Sequence, residues 1–333
     1  MESKLNKKWK ILLTGPIHKE AQKVLDSKAE STLAPLHSSS KEIANLIEKQ
    51  QTDALIVRAG KINREVMAAS PHLRVIVKHG VGYNNIEIDT ATGLGLPVLY
   101  TPRANFESVA EHTLALIFSL AKKINLLDKE MKINKSWPKS KYVLEELQHK
   151  YIGLIGMGRI GVRVIQLLSP LEMQIIVYDP FISESALPSG VKKVDTLKQL
   201  VQKVDIVSVH CPLTKETNHL LGEEELSNMK PNAYLVNTAR GGIVDETALI
   251  KALERGLIAG AALDTFAQEP LFADSPLLKL DNVIVTPHIA GNAQESFVRM
   301  GVTAVKLAFQ ILEGKEGEIS VDNFINHEVL EKK

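Results

Sequence analysis

Residues 151–161 read YIGLIGMGRIG, and this stretch decides the fold. Tyr151 to Ile155 is a short, β-rich apolar run, and a helical pattern starts near Arg159. Between them lie Gly156-x-Gly158-x-x-Gly161. Each glycine has a task in a strand-to-helix turn. Gly156 permits the tight turn, Gly158 lets the backbone approach a pyrophosphate, and Gly161 lets the helix pack close to the strand. The anion then sits at the helix N-terminus, where unpaired N–H groups and the helix dipole attract negative charge. Eighteen residues beyond Gly161, at the end of the apolar run QIIVY (174–178), stands Asp179. A carboxylate there accepts hydrogen bonds from a ribose 2′-hydroxyl and repels a 2′-phosphate, so the pattern predicts NAD over NADP.

Outward from this turn, the alternation of strand and helix continues in both directions. Toward the C-terminus, DIVSVH (205–210), NAYLVNTA (232–239), AGAALD (259–264) and NVIVT (282–286) complete a sheet of six predicted strands. Toward the N-terminus, KILLT (10–14), ALIV (54–57), LRVIV (73–77) and PVLY (97–100) alternate with helical stretches such as KEIANLIEK (41–49). Short apolar runs separated by amphipathic helices define βαβ units and parallel sheets covered on both faces. Between the two series, Asn105 to Leu127 reads as one long helix, apolar nearly all round from Val109 to Ala121. Such a helix is expected to be buried on several sides. The segment 128–149 reads as a polar loop. The fold class expected is α/β, with two doubly wound parallel-sheet domains.

Composition removes several functions. With 40 Lys+Arg against 39 Asp+Glu, the net charge is +1, which gives no electrostatic reason for nucleic acid as a partner. The single cysteine, Cys211, excludes an internal disulfide and a Cys-rich zinc centre, and no HExxH pattern points to a metal. The longest apolar run, 114–121, is too short for a bilayer, and the first residues lack a signal-peptide pattern. The expectation is a cytoplasmic protein with no membrane partner.

Three polar residues stand just past predicted strands: Arg240 after LVNTA, Glu269 in DTFAQEP, and His288 in TPHIAG. Loops at the carboxyl ends of strands form the ligand crevice of an open α/β sheet. Singly, each residue reads as a solvated loop or turn residue. Together, behind a dinucleotide fingerprint, they supply complementary chemistry. Hydride transfer to or from a 2-hydroxy acid needs a proton acceptor, which His provides, and a planar cation for the carboxylate, which Arg provides. A carboxylate beside the His would orient it and favour its charged form.

At this point the chain resembles the D-isomer-specific 2-hydroxyacid dehydrogenase family over nearly its whole length. The stretches that carry the resemblance are KHGVGYNNIE (78–87), SVAEHTLAL (108–116), GLIGMGRIG (153–161), VYDP (177–180), HCPLTKET (210–217), VNTARGGIVDETAL (236–249), ALDTFAQEP (262–270) and TPHIAG (286–291). The resemblance implies a Rossmann-type cofactor domain, 105–293, inserted in a flavodoxin-like substrate domain formed by 1–104 and 294–333. It implies His288 as acid/base, Glu269 as its partner and Arg240 as the carboxylate and carbonyl binder. Further implied cofactor contacts are Arg159 and Ile160 at the pyrophosphate, Pro212 and Thr217 near the adenosine, and Ala239 and Asp264 near the nicotinamide. The Val81-Gly82 loop would offer backbone N–H groups to the substrate carboxylate. A homodimer through the cofactor domain is implied as well.

Within the family the chain is most similar to the phosphoglycerate dehydrogenase branch. Arg58 and Lys78 align with basic residues that approach the substrate's phosphate end there, suiting a second anionic group. The plainer reading makes both solvated strand-end charges. His79 and Val81 depart from the branch, as does Tyr83-Asn84-Asn85; His79 reads as a loop histidine before a substrate contact. His112 reads as a packed or interface histidine. With no regulatory extension expected after Lys333, serine feedback is not expected. The expected reaction is reversible, NAD-linked reduction of a small 2-keto acid. The alternatives are a hydroxypyruvate/glyoxylate or sulfolactate-type dehydrogenase and, from a different class, an NADH-sensing corepressor-like binding protein.

Overall fold

The computed structural model describes residues 8–330. The chain folds into two compact units, one from the segments up to Asn105 and from Asn292 onward, the other from Phe106 to Gly291.

The first unit contains β1 (Trp9–Leu13), α1 (Lys19–Asp26), β2 (Ala29–Leu33), α2 (Ser40–Gln50), β3 (Ala54–Val57), α3 (Arg64–Met67), β4 (Val75–Lys78), α4 (Ile88–Gly93) and β5 (Val98–Leu99). The five strands are parallel in the order β2-β1-β3-β4-β5, the flavodoxin-like order expected for this unit. Strands β3 and β4 are buried along their whole length, as continuous apolar runs between two helical layers must be. Strand β2, AESTL, was not foreseen: it is a polar edge strand with only Ala29 buried, so it carries no apolar run to read.

The second unit contains α5 (Phe106–Ala121), α6 (Ile124–Lys132), β6 (Tyr151–Ile155), α7 (Arg159–Leu168), β7 (Gln174–Tyr178), β8 (Val191–Lys193), α8 (Leu197–Lys203), β9 (Ile206–Val209), α9 (Glu223–Asn228), β10 (Tyr234–Asn237), α10 (Glu246–Glu254), β11 (Gly260–Leu263) and β12 (Val283–Val285). Seven parallel strands run β12-β11-β10-β9-β6-β7-β8. This is the doubly wound dinucleotide-binding order with one further strand, and the order reverses between β6 and β9. The strand beyond the six predicted is β8, VKK, whose charge and edge position hide it from an apolar-run reading. The single long helix expected over 105–127 is two: Lys123 adopts a left-handed φ of 49°, which ends α5 and starts α6 in a new direction. Helix α6 also extends to Lys132, into the segment read as loop.

Helix α11 (Gln294–Leu312) returns to the first unit and packs against α1 and β4. The tail after it runs beside β5, where Leu99 and Phe324 form an antiparallel bridge. The fully buried Asn326 accepts from the Val98 N–H at 2.7 Å and donates to the Leu96 carbonyl and the Thr92 hydroxyl, each at 3.0 Å. Among the described residues, no helix is long and apolar enough to cross a membrane.

Replacing Asn326 by Ala would leave a buried N–H and a buried carbonyl unpaired, at a cost of about 2–4 kcal/mol. Thermal unfolding followed by circular dichroism should show Tm falling by roughly 5–10 °C. An unchanged Tm would mean that the tail does not hold β5.

Candidate active site

The glycine turn has the geometry of its predicted task. Gly156 ends β6 with φ +94°, and a Cβ there would lie 2.9 Å from the Cys211 backbone nitrogen. A Cβ on Gly161 would lie 2.6 Å from the Gly156 carbonyl oxygen, so only glycine lets α7 approach the turn. Gly158, the residue that caps α7, faces open space, the room a pyrophosphate requires. Arg159 and Ile160 form the first turn of α7. Asp179, at the end of β7, stands beside this turn: one carboxylate oxygen accepts from the Met157 N–H at 2.9 Å and the other from the Phe181 N–H at 2.9 Å. These residues fit a dinucleotide.

The loop after β9 carries the next group. The Thr217 hydroxyl donates to the Pro212 carbonyl at 2.6 Å and accepts from the Thr214 N–H at 2.7 Å, closing a compact loop. His210, at its start, lies against the Ser208 hydroxyl at 2.9 Å, and burial lowers its pKa to about 4. Burial pushes the Cys211 thiol up to about 11, only partly offset by its backbone hydrogen bond, and the charge of Asp179 adds to the rise. The thiol stays protonated near neutral pH and is a poor nucleophile.

The structure brings Arg240, Glu269 and His288 together. Nδ1 of His288 donates to Glu269 at 2.7 Å, and the other Glu269 oxygen accepts from the Phe266 N–H at 3.0 Å. Burial favours the neutral form of Glu269. The bonds from His288 and Phe266 and the charges of His288 and Arg240 outweigh it, and the carboxyl sits below its ordinary range. Burial lowers the pKa of Arg240, and the charge of Glu269 opposes the fall. Nη1 of Arg240 donates to the Ala239 carbonyl at 2.6 Å, which fixes the guanidinium at the end of β10. A Cβ on Gly241 would lie 1.9 Å from the Phe266 carbonyl carbon, so this glycine lets the Arg240 loop touch the loop that carries Glu269.

His288 has a left-handed φ of 49°, unusual for a side chain-bearing residue, and Asp264 accounts for it. This fully buried carboxylate accepts from the Thr286 hydroxyl at 2.6 Å and from the Ile289 and Ala290 N–H groups at 2.9 Å each. It therefore grips the chain on both sides of His288. His112 of α5 completes the cluster, its Nε2 lying 3.2 Å from the Thr286 hydroxyl and 3.7 Å from Asp264. The sequence places Asp264 at the cofactor by resemblance, reads His112 as a packed or interface histidine and assigns Thr286 no role. The only sequence signal is the spacing: Thr286 lies two residues before His288 and Ile289 directly after it.

The remaining predicted residues lie in the first unit. Arg58 follows β3, and Lys78 ends β4. Lys78 is buried, and its ammonium donates to the Arg58 carbonyl and to Asn85, each at 3.0 Å. It is not a solvated charge. The Val81 and Gly82 loop follows Gly80, whose N–H is held by the Thr101 hydroxyl at 3.0 Å. His79 is buried, not a surface loop residue.

With this geometry in hand, comparison with known proteins identifies the class. The family model for the D-isomer specific 2-hydroxyacid dehydrogenase NAD-binding domain matches residues 114–290. A D-3-phosphoglycerate dehydrogenase of Methanocaldococcus jannaschii is 39% identical over 93% of this chain, and the chain spans only 58% of that relative's length. A glyoxylate reductase of Thermofilum pendens is 44% identical over 79% of each chain. The crystal structure of D-lactate dehydrogenase from Aquifex aeolicus, complexed with NAD and lactic acid, superimposes with a TM-score of 0.82 at 31% identity, covering 95% of this chain and 99% of that one. The chain belongs to the D-isomer specific 2-hydroxyacid dehydrogenase family. Its second unit carries that family's fold for a nicotinamide cofactor.

The grip of Asp264 on the His288 loop is directly measurable. Thr286→Val removes one hydrogen bond to a buried carboxylate, worth about 1.5–3 kcal/mol, so local opening should rise roughly tenfold or more. Hydrogen exchange at the Ile289 and Ala290 amides should accelerate accordingly, while Thr286→Ser keeps them protected. Equal exchange in all three proteins would show that the loop is held by something else.

Proposed function

We propose that the protein is an NAD-dependent oxidoreductase that interconverts a small 2-keto acid and its D-2-hydroxy acid. The observation that carries this reading is the 2.7 Å hydrogen bond between His288 and Glu269 beside the fixed guanidinium of Arg240. The glycine turn and Asp179 would hold the nicotinamide dinucleotide, which when bound would supply or accept the hydride. The protein's residues do the rest. With Nδ1 committed to Glu269, His288 presents Nε2 as the proton donor in reduction and the acceptor in oxidation. Glu269 fixes the orientation and tautomer of the ring through this bond. Arg240 holds the substrate carboxylate and polarises the carbonyl with its planar fork. Asp264 keeps the His288 loop in its left-handed turn.

The first unit is read as the substrate domain. The N–H groups of Val81 and Gly82 take the substrate carboxylate, and Arg58 takes a second anionic group, as in 3-phosphoglycerate and phosphohydroxypyruvate. A glyoxylate or hydroxypyruvate reductase is the second reading. It is favoured by the glyoxylate reductase relative, the more similar in identity of the two and matched over 79% of its length. A homodimer through the second unit is also proposed. Trp137, Ile133 and Val143 expose 77%, 71% and 85% of their surface in one stretch, apolar side chains that a second copy would cover.

Steady-state rates with NADH and a panel of phosphohydroxypyruvate, hydroxypyruvate, glyoxylate, sulfopyruvate and pyruvate test the assignment. His288→Ala should lower kcat at least a thousandfold while NADH affinity holds within about threefold. Full activity in that variant would remove His288 from the mechanism, and tight NADH binding without turnover in the parent protein would favour a sensor. Asp179→Ala should weaken NADH and narrow the gap to NADPH; an unchanged preference would mean that specificity is set elsewhere.

The pH profile gives an independent check. Its hydrogen bonds and neighbouring charges hold Glu269 below the ordinary carboxylate range, so it stays ionised through the neutral range. An acid limb of kcat/KM set by Glu269 should therefore lie below the pH at which an ordinary carboxylate titrates, and Glu269→Gln should abolish it. A limb that stays put would separate Glu269 from the proton transfer.

A further inference from the structure

Arg58 lies in an unusual setting. Its aliphatic stem runs over Gly15, where a Cβ would come within 2.9 Å of the Arg58 Cβ and 3.3 Å of its Cδ. Its guanidinium carbon sits 4.7 Å from the centre of the Phe297 ring, on the first turn of α11. One nitrogen, Nη1, donates to the Pro16 carbonyl at 2.9 Å. The opposite edge, formed by Nε and Nη2, has no partner among the described residues, and no carboxylate there pairs with Arg58. Burial lowers the pKa of this guanidinium, and no counter-charge repays the cost.

The neighbours explain why the cation stays single. The His79 ring packs on the same phenyl ring at 5.3 Å and His18 edge-on at 6.1 Å. His79 is 5% exposed, and its Nε2 finds no hydrogen-bond partner. Burial, with the charges of Arg58 and Lys78 adding to it, drops its pKa to about 3, so it contributes no charge at neutral pH. Lys78 places its ammonium under the Arg58 backbone carbonyl rather than beside the guanidinium. The result is one cation, stacked on one aromatic face, with a two-donor edge left open.

We propose that Phe297 is a specificity-determining positioning residue: its ring face holds Arg58 so that the Nε/Nη2 edge captures two oxygens of a second anionic group on the substrate. This rests on the 2-keto acid reading above and extends it to the residue that sets selectivity. The ligand class is an anion offering a two-oxygen edge, such as a phosphate, sulfonate or carboxylate, on the carbon chain of a 2-keto acid. A planar guanidinium meets such an edge with two parallel hydrogen bonds, but only while its plane is fixed. The stack on Phe297 fixes it.

The test measures kcat and KM for phosphohydroxypyruvate, sulfopyruvate and oxaloacetate, which carry two anions, against glyoxylate, which carries one. Phe297→Leu keeps apolar bulk and removes the ring face. Its kcat/KM ratio for two-anion over one-anion acids should fall about five- to thirtyfold, nearly all in KM. Phe297→Tyr should restore the ratio. Gly15→Ala, which pushes the Arg58 stem from the other side, should lower the ratio in the same sense, so the inference does not hang on one variant's folding. Equal losses on all substrates, or none, overturn it. Arg58→Met separates the two readings. If Arg58→Met loses the preference and Phe297→Leu and Gly15→Ala do not, the positioning role fails and the second-anion reading stands. If Arg58→Met keeps it, or the parent protein turns over only one-anion acids, both fall.

Discussion

The site depends on a carboxylate that never meets solvent. Asp264 is fully buried, and isolating an ionised carboxylate from water costs several kcal/mol unless donors replace the lost hydration. Here the donors come from one loop: the Thr286 hydroxyl and two successive backbone N–H groups. The charge requires the loop to fold back onto it, and the loop requires the charge to satisfy its amides. His288 sits within this closed set, in a backbone conformation that costs of order 1 kcal/mol or more and persists only because its flanks are pinned. The imidazole orientation and its bond to Glu269 follow from this arrangement.

A second constraint acts through glycine at close contacts. Gly161 against the Gly156 carbonyl sets the distance of α7 from its strand, and Gly241 against Phe266 sets the distance between two site loops. In both places the missing Cβ is structural and functional at once. The same closeness that shapes the turn exposes its backbone N–H groups to an anion, and the same closeness of the two loops lets the charge of Arg240 act on Glu269.

What could be read from the sequence divides along physical lines. Strands buried on both faces were legible because burial imposes continuous apolar runs, as in YIGLI, QIIVY and ALIV. Edge strands were not, because solvent permits AESTL and VKK there. The glycine turn, Asp179 and the trio were legible because each occupies a fixed offset from a readable strand. The break at Lys123 was not, because no glycine or proline marks it. The environments of Asp264, Arg58 and His79 were also hidden. A residue's partners across 20 or more positions are a product of topology, and local pattern carries no record of them. His79 shows the difference: alone it looks like an ordinary loop histidine, and only burial in the fold, with the charges of Arg58 and Lys78 beside it, drops its pKa to about 3.

The two cation settings, Arg240 and Arg58, are best understood as a contrast. Both are partly desolvated guanidinium groups, and burial disfavours the charge of both. Arg240 is compensated internally, because the negative charge of Glu269 acts on it. Such a pair is stable without substrate, and its field belongs to the permanent electrostatics of the site. Arg58 has an aromatic face in place of a carboxylate. A quadrupole recovers only part of the desolvation cost, about 2 kcal/mol, where the direct attraction of a buried counter-charge would be larger. A carboxylate in place of Phe297 would pair with the guanidinium, but it would occupy the donor edge that an incoming anion needs. An aromatic support positions the cation without consuming its hydrogen bonds. On the proposed reading, the difference in compensation matches the two roles: a charge balanced from within prepares the reaction, and a charge left unbalanced selects what enters.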